Sequence, residues 1–279
     1  MKKGLVAGFL FIVTCTGLGN QPASLHVATS SEVVEDTTPM VQKLWKVREH
    51  LVYSVRYSLF TLGTVTVDVL HDTTYLGKTY RYFRTTIKSN PSLPFVGNKE
   101  EKFYSLMAKN DTIPYEVLYW NDDIDDNIHF SSLYKLRYDL GKVYTFKRKE
   151  SHGPLIAGDT LSLNQPSICG PAFFYLSRIY AGTMKNVSIP IYINQKKDSI
   201  QLYNKGKQDK MQINAFGDKS IKVFESTGDA GFDGPFGFHG KFTAWFAEDS
   251  LHVPVATNLH VWIGSVKVRL QSYAAYNYE

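Results

Sequence analysis

Alternation of apolar and polar residues with a period of two runs through most of this chain and points to half-buried antiparallel sheet. Val65, Val67 and Val69 alternate with Thr64, Thr66 and Asp68, which puts the valines on one face of a strand and the polar side chains on the other. The pattern returns at residues 80–85, 115–119 and 143–147, and in the closing run 240–255, which reads as two strands turning at the acidic tip Glu248-Asp249-Ser250. Turn signals at Gly77-Lys78, Asn90-Pro91, Asn110-Asp111 and Leu140-Gly141 separate the strands. Further strands are expected at 187–194, 199–203, 221–225, 253–261 and 265–272, for a total of roughly eleven or twelve. Tyr and Phe supply 35 of the 279 residues, a content that suits a broad pleated surface better than a helical bundle. The expected fold is mainly β, with no linker that divides it.

One segment breaks the period. Gly170-Pro171 precedes residues 172–182, where Phe173, Leu176 and Tyr180 recur at i, i+3 and i+7, with Pro near the first turn and Gly182 just past the end. This spacing predicts a short amphipathic helix over 171–181, packed against the concave face of the sheet.

The N-terminus reads as an export signal. Lys2 and Lys3 form a charged start, and residues 4–13 supply an apolar stretch of signal-peptide rather than membrane-spanning length. Cleavage is expected near residue 19, with residues 20–49 as a flexible leader before a β-rich domain over 50–279. Ile12-Val13-Thr14-Cys15 also resembles a degenerate lipoprotein box, so a lipid anchor at Cys15 is the less favoured alternative. No later stretch is long and apolar enough to span a bilayer as a helix. The expected location is the periplasm or the outer membrane surface.

Loss of residues 1–19 removes two of the 31 basic residues and none of the 26 acidic ones, leaving 29 against 26. That balance is too mild to imply nucleic acid as a partner. Cys169 is then the only thiol and has no partner for an internal disulfide, so a core of ordinary size must hold the fold.

Motifs that carry chemistry are scarce. Residues 121–127 hold four carboxylates, a composition hard cations accept, but consecutive Asp and Asn favour a solvated turn between strands, which is the preferred reading. Residues 229–234 match the first half of a calcium loop, whose twelfth position is Gly240 instead of Glu. His239, His252 and His260 lie close in sequence without metal-ligand spacing. Gly77-Lys78-Thr79 resembles the end of a phosphate loop, but Asp72 stands where its first Gly belongs. No nucleophile motif is present. Cys169, just before the predicted helix, is the single residue whose thiolate a helix dipole would favour, although a buried, incidental thiol is the preferred reading. The expectation is therefore a non-catalytic protein without metal or cofactor.

Aromatic residues give the remaining signal. Trp245 and Trp262 fall in neighbouring predicted strands close to Phe242, and with the helix residues Phe173, Leu176 and Tyr180 they form the expected ligand surface.

The closing run, with Trp245-Phe246-Ala247-Glu248-Asp249, Val253-Pro254-Val255 and Ile263-Gly264-Ser265-Val266, resembles the end of a bacterial exported family known as domain-of-unknown-function family 3108. Residues 51–57, the Gly-led strand 62–67 and Tyr175-Leu176-Ser177-Arg178 match its start and its mid-chain helix. The similarity spans about residues 50–273. It implies a single large curved antiparallel sheet, an open half-barrel like that of periplasmic lipoprotein carriers, with no catalytic residue to transfer. The expected role is binding of a lipid or other amphiphile in the concavity. The alternative is an envelope assembly factor that engages a protein partner through a sheet edge or aromatic patch.

Overall fold

The computed structural model describes residues 38–93, 97–110, 112–125, 128–150, 152–217, 219–232, 238–261 and 264–277. The signal-peptide segment, Cys15 and Trp262 lie outside the described residues. A short helix α1 (Thr38–Trp45) leads into β1 (Val47–Tyr57), β2 (Phe60–Tyr75), β3 (Lys78–Ser89), β4 (Lys99–Ala108), β5 (Tyr115–Asp125), β6 (Ile128–Arg137), β7 (Lys142–Lys149) and β8 (Leu155–Ser162). Helix α2 (Ala172–Tyr180) follows, and then β9 (Asn186–Ile193), β10 (Lys196–Gln212), β11 (Ser220–Ala230), β12 (Phe238–Ala247), β13 (Pro254–Val261) and β14 (Gly264–Asn277).

All fourteen strands belong to one open sheet in the order β8-β7-β6-β5-β4-β3-β2-β1-β14-β13-β12-β11-β10-β9. Every neighbouring pair is antiparallel. The chain winds outward from β1 to β8, crosses through α2 to the opposite edge, and winds back until β14 pairs with β1. The β1–β2, β3–β4 and subsequent odd-to-even connections therefore share one end of the sheet. Helix α1 and the even-to-odd connections share the other.

The strands that alternate in sequence alternate in burial. Val47, Glu49, Leu51, Tyr53 and Val55 of β1 point inward while Arg48, His50 and Arg56 point out. The inner face closes on α2. Tyr175, Leu176 and Ile179 share a core with Val69, Phe83 and Met107 from one limb of the sheet and with Ile191, Leu202 and Phe246 from the other. Burial of each such aliphatic side chain contributes about 1.5–3 kcal/mol. The apolar core between the two limbs is thus built around α2, with Val41 and Leu44 of α1 joining it.

Three expectations are corrected. The leader is shorter than 20–49: Val41 and Leu44 of α1 are fully buried, and β1 begins at Val47. Beyond the eleven expected strands there are three more, β4, β6 and β8. The acidic run is strand as far as Asp125, with Asp122 and Asp123 opposite Lys102 and Glu101 of β4 and Lys99 Nζ 3.8 Å from Asp123. Gly77 sits with Leu76 in the β2–β3 turn, both at positive φ, and Lys78 and Thr79 already belong to β3.

Gly228 of β11 lies directly opposite Phe242. A Cβ there would fall 2.2 Å from Phe242 Cζ and 2.6 Å from the Gln201 carbonyl oxygen. Because the second contact is with backbone, the clash cannot be relieved by a rotamer change alone. Gly228→Ala is expected to cost about 1–3 kcal/mol, read as a lowered urea midpoint; an unchanged midpoint would show that β10 and β11 can separate without penalty.

Candidate functional site

Two features organise the interior: a cavity beside α2 and a set of buried charges that fix the helix. The cavity, about 170 Å³, lies between α2 and the concave face and is walled almost wholly by carbon. Val65 and Val67 are only half-buried, although they share a face with buried Val69, because they look into this space. Phe103 and Tyr119 wall it on one side, Phe242 and Phe246 on the other, and Phe173 and Phe174 of α2 project into it. Ile193, Phe232 and Leu259, all beside odd-to-even connections, carry its lining toward that end of the sheet, the side away from α1, which we take as its mouth. The opposite end is occupied by α1, where Trp45 packs 5.7 Å from Tyr175 and donates through Nε1 to the Asn110 carbonyl.

Arg178 holds the far half of α2. Its guanidinium donates from Nη1 and Nη2 to the Glu49 carboxylate at 2.6 and 3.0 Å, and from Nε to the Leu251 carbonyl at 2.9 Å. The Tyr273 hydroxyl donates to the same carboxylate at 2.9 Å. Burial works against the charge on Arg178, but Glu49 more than offsets it and holds the guanidinium above its ordinary range. A second buried guanidinium, Arg81, donates to Asp72 at 2.7 Å and to the Val47 and Trp45 carbonyls at 2.9 and 2.8 Å, tying α1 to β3. Burial pushes Asp72 upward, yet hydrogen bonds from Lys109 and Arg81 bring its carboxyl below the usual range.

The edge strand β9 is stitched to the opposite limb by the segment before α2. Ile168 donates to the Pro190 carbonyl at 3.1 Å and accepts from the Tyr192 amide at 2.8 Å, while Ser167 accepts from the Glu116 amide at 3.0 Å. The Glu116 carboxyl, fully buried, accepts from the Cys169 amide and from the Ser105 hydroxyl. Burial pushes this carboxyl up to about 8, against the pull of Ser105 and Cys169. Cys169 is equally buried, and burial with the adjoining Glu116 raises its thiol well above the ordinary value. Burial thus outweighs any stabilisation of the Cys169 thiolate by the dipole of α2.

Of the six expected ligand residues, Phe173 and Phe242 line the cavity, their rings 5.5 Å apart. Leu176 is buried in the core and Tyr180 packs at its margin; neither lines the cavity. Trp245 falls on the opposite face of β12 from Ala244 and Phe246, with the Arg269 guanidinium 5.6 Å above its ring. Val65, Val67, Phe103 and Tyr119 were not anticipated as cavity walls: alternation put the two valines on one face of a strand, but β4, which carries Phe103, was not expected as a strand at all. His252 precedes β13 and His260 lies near the strand's other end, and the described residues contain no cluster of three His, Cys, Asp or Glu able to hold a metal. No helix among them is long and apolar enough to cross a membrane.

A curled antiparallel sheet stitched at one seam around α2 defines a β-barrel-like protein. The crystal structure of a beta-barrel-like protein of domain of unknown function DUF1849 from Brucella abortus is similar, with a TM-score of 0.52, 10% identity, and coverage of 83% of this chain and 99% of that one. The chain itself belongs to the family of proteins of unknown function DUF3108, whose model matches residues 52–271. No curated protein matches it.

Proposed function

We propose that the chain is a non-catalytic, exported cell-envelope protein that binds a lipid or other amphiphile between α2 and the sheet. The observation that carries this reading is the carbon-walled cavity of about 170 Å³ between α2 and the sheet. Apolar voids on the order of 150 Å³ take up a benzene-sized guest, so this one accommodates a ring or a short methylene segment, with the rest of a longer ligand passing through the mouth. The charged start and apolar stretch of residues 1–13 support export, with Cys15 as the alternative lipid anchor.

Native mass spectrometry with organic extraction on protein isolated gently from a bacterial envelope tests the reading. An amphiphile of defined mass is expected to co-purify, and Ala244→Phe, which fills the cavity wall, is expected to abolish its recovery at a cost of about 1–3 kcal/mol in stability. A clean apo mass for the unaltered chain would end the carrier reading. The second reading, a protein-interaction factor, is favoured by β8, an edge strand exposed along most of its length with Leu155 and Ile156 outermost.

A further inference from the structure

The turn between β1 and β2 carries Leu59, 85% exposed, and is followed by Phe60, 49% exposed. A lone exposed apolar residue is ordinary, but this pair stands at the cavity-mouth end of the sheet, beyond the lining residues Val55 and Val65 on the same two strands. Immediately behind it Arg56 faces Lys267 directly across the β1–β14 ladder. Both are exposed, and among the described residues no carboxylate pairs with either. Like charges placed opposite each other on a sheet repel, so the pair is stabilised when an external anion lies against it. Apolar side chains ahead of unneutralised cations match the layering of a bilayer surface, with acyl carbon beneath anionic phosphate.

We propose that the β1–β2 tip docks on a lipid bilayer bearing anionic headgroups, setting the cavity mouth against the membrane. The idea that an amphiphile then passes into the cavity rests on the function proposed above; the docking does not. A protein partner would also cover Leu59, but the continuity of the tip with a carbon-walled mouth and the cationic pair behind it fit lipid.

Hydrogen exchange on the full chain, alone and with vesicles, reads the tip locally and is indifferent to attachment through another segment. Vesicles of phosphatidylcholine and phosphatidylglycerol are expected to slow the amides of residues 58–61 at least about fivefold, and phosphatidylcholine alone to slow them less. Leu59→Ser with Phe60→Ser, and separately Arg56→Glu with Lys267→Glu, are expected to remove the slowing while the amides of Leu51 and Leu270 keep their rates, which shows that each variant is folded. Unchanged tip rates in chain that sediments with vesicles would overturn the proposal, as would protection that appears without vesicles and grows with protein concentration, the mark of a second copy. Tip protection with no extractable amphiphile would leave docking standing and remove the carrier role. Extractable amphiphile with an unprotected tip would do the reverse.

Discussion

Arg178→Met is expected to destabilise the protein by about 3–5 kcal/mol, one of the two largest effects anticipated for a single substitution. The loss comes less from the missing attraction than from what remains: the Glu49 carboxylate, 3% exposed, keeps only the Tyr273 hydroxyl as a donor among those described here. The Leu251 carbonyl also loses its side-chain donor. For a domain of this size the change corresponds to roughly 6–20 °C in melting temperature. Adding Glu49→Leu is expected to restore most of the loss, because a well-packed apolar pair often equals or exceeds a buried ion pair in stability. Urea unfolding of the two single variants and the double variant closes the cycle. If Arg178→Met alone costs under about 1 kcal/mol, water reaches Glu49 and the pair is not a buried one.

This network marks the boundary of what the sequence discloses. Period-two alternation is a local signal, so it located eleven strands and their turns. It missed β4, whose KFYSLMA stretch is buried nearly continuously instead of alternately, because the end of that strand is covered on both faces. It missed β8, where Gly158 and Asp159 interrupt the pattern of an edge strand that buries little. The same parity also hid the buried charges. Glu49 and Arg81 occupy inward positions in alternating strands, where a charge looks like an error until its partner is known. The partner of Glu49 is 129 residues away on α2, and no local pattern reports that distance. The helix was legible because its Pro, its Gly and its apolar spacing are local features.

The aromatic set failed in a more instructive way. Phe242 and Trp245 are close in sequence but differ in parity, and parity decides which face of β12 each occupies. Phe242 stands with Ala244 and Phe246 inside, whereas Trp245 meets Arg269 outside the cavity. Grouping by proximity joined two faces that the strand separates. The cavity itself was not legible at all, since an unfilled space arises from the difference between the volume enclosed by the curled sheet and that of α2. Neither quantity has a signature in a single strand.

Glu116→Gln is expected to remove a fall in stability between about pH 4.5 and 8, the second large effect. Burial raises the folded-state carboxyl to about 8 from its ordinary 4.5. Between those values the folded protein holds a proton that the unfolded chain has released, so fewer protons are bound in the unfolded state and stability declines as pH rises. Below about 4.5 both states are protonated and the penalty vanishes; above about 8 both are ionised and the penalty is constant. Its full size is on the order of a few kcal/mol. Asp72 has the opposite sign, since its depressed carboxyl contributes stability that is lost as pH falls, so the informative quantity is the difference between the unaltered chain and the variant at each pH. Gln reproduces the protonated form: its amide oxygen accepts from the Cys169 amide and its amide nitrogen donates to the Ser105 hydroxyl. The two proteins should therefore match near pH 4.5, with the variant gaining steadily toward pH 8 in urea unfolding. Because Glu116 also binds Ser167 through its backbone and so anchors the segment that stitches β9 to β5, the loss that develops as pH rises toward 8 should begin at this seam, with the Ile168 and Tyr192 amides exchanging before those of β1. Parallel stability profiles for the two proteins would mean that the Glu116 carboxyl is hydrated and ionised in the folded state, and that the seam does not sense pH.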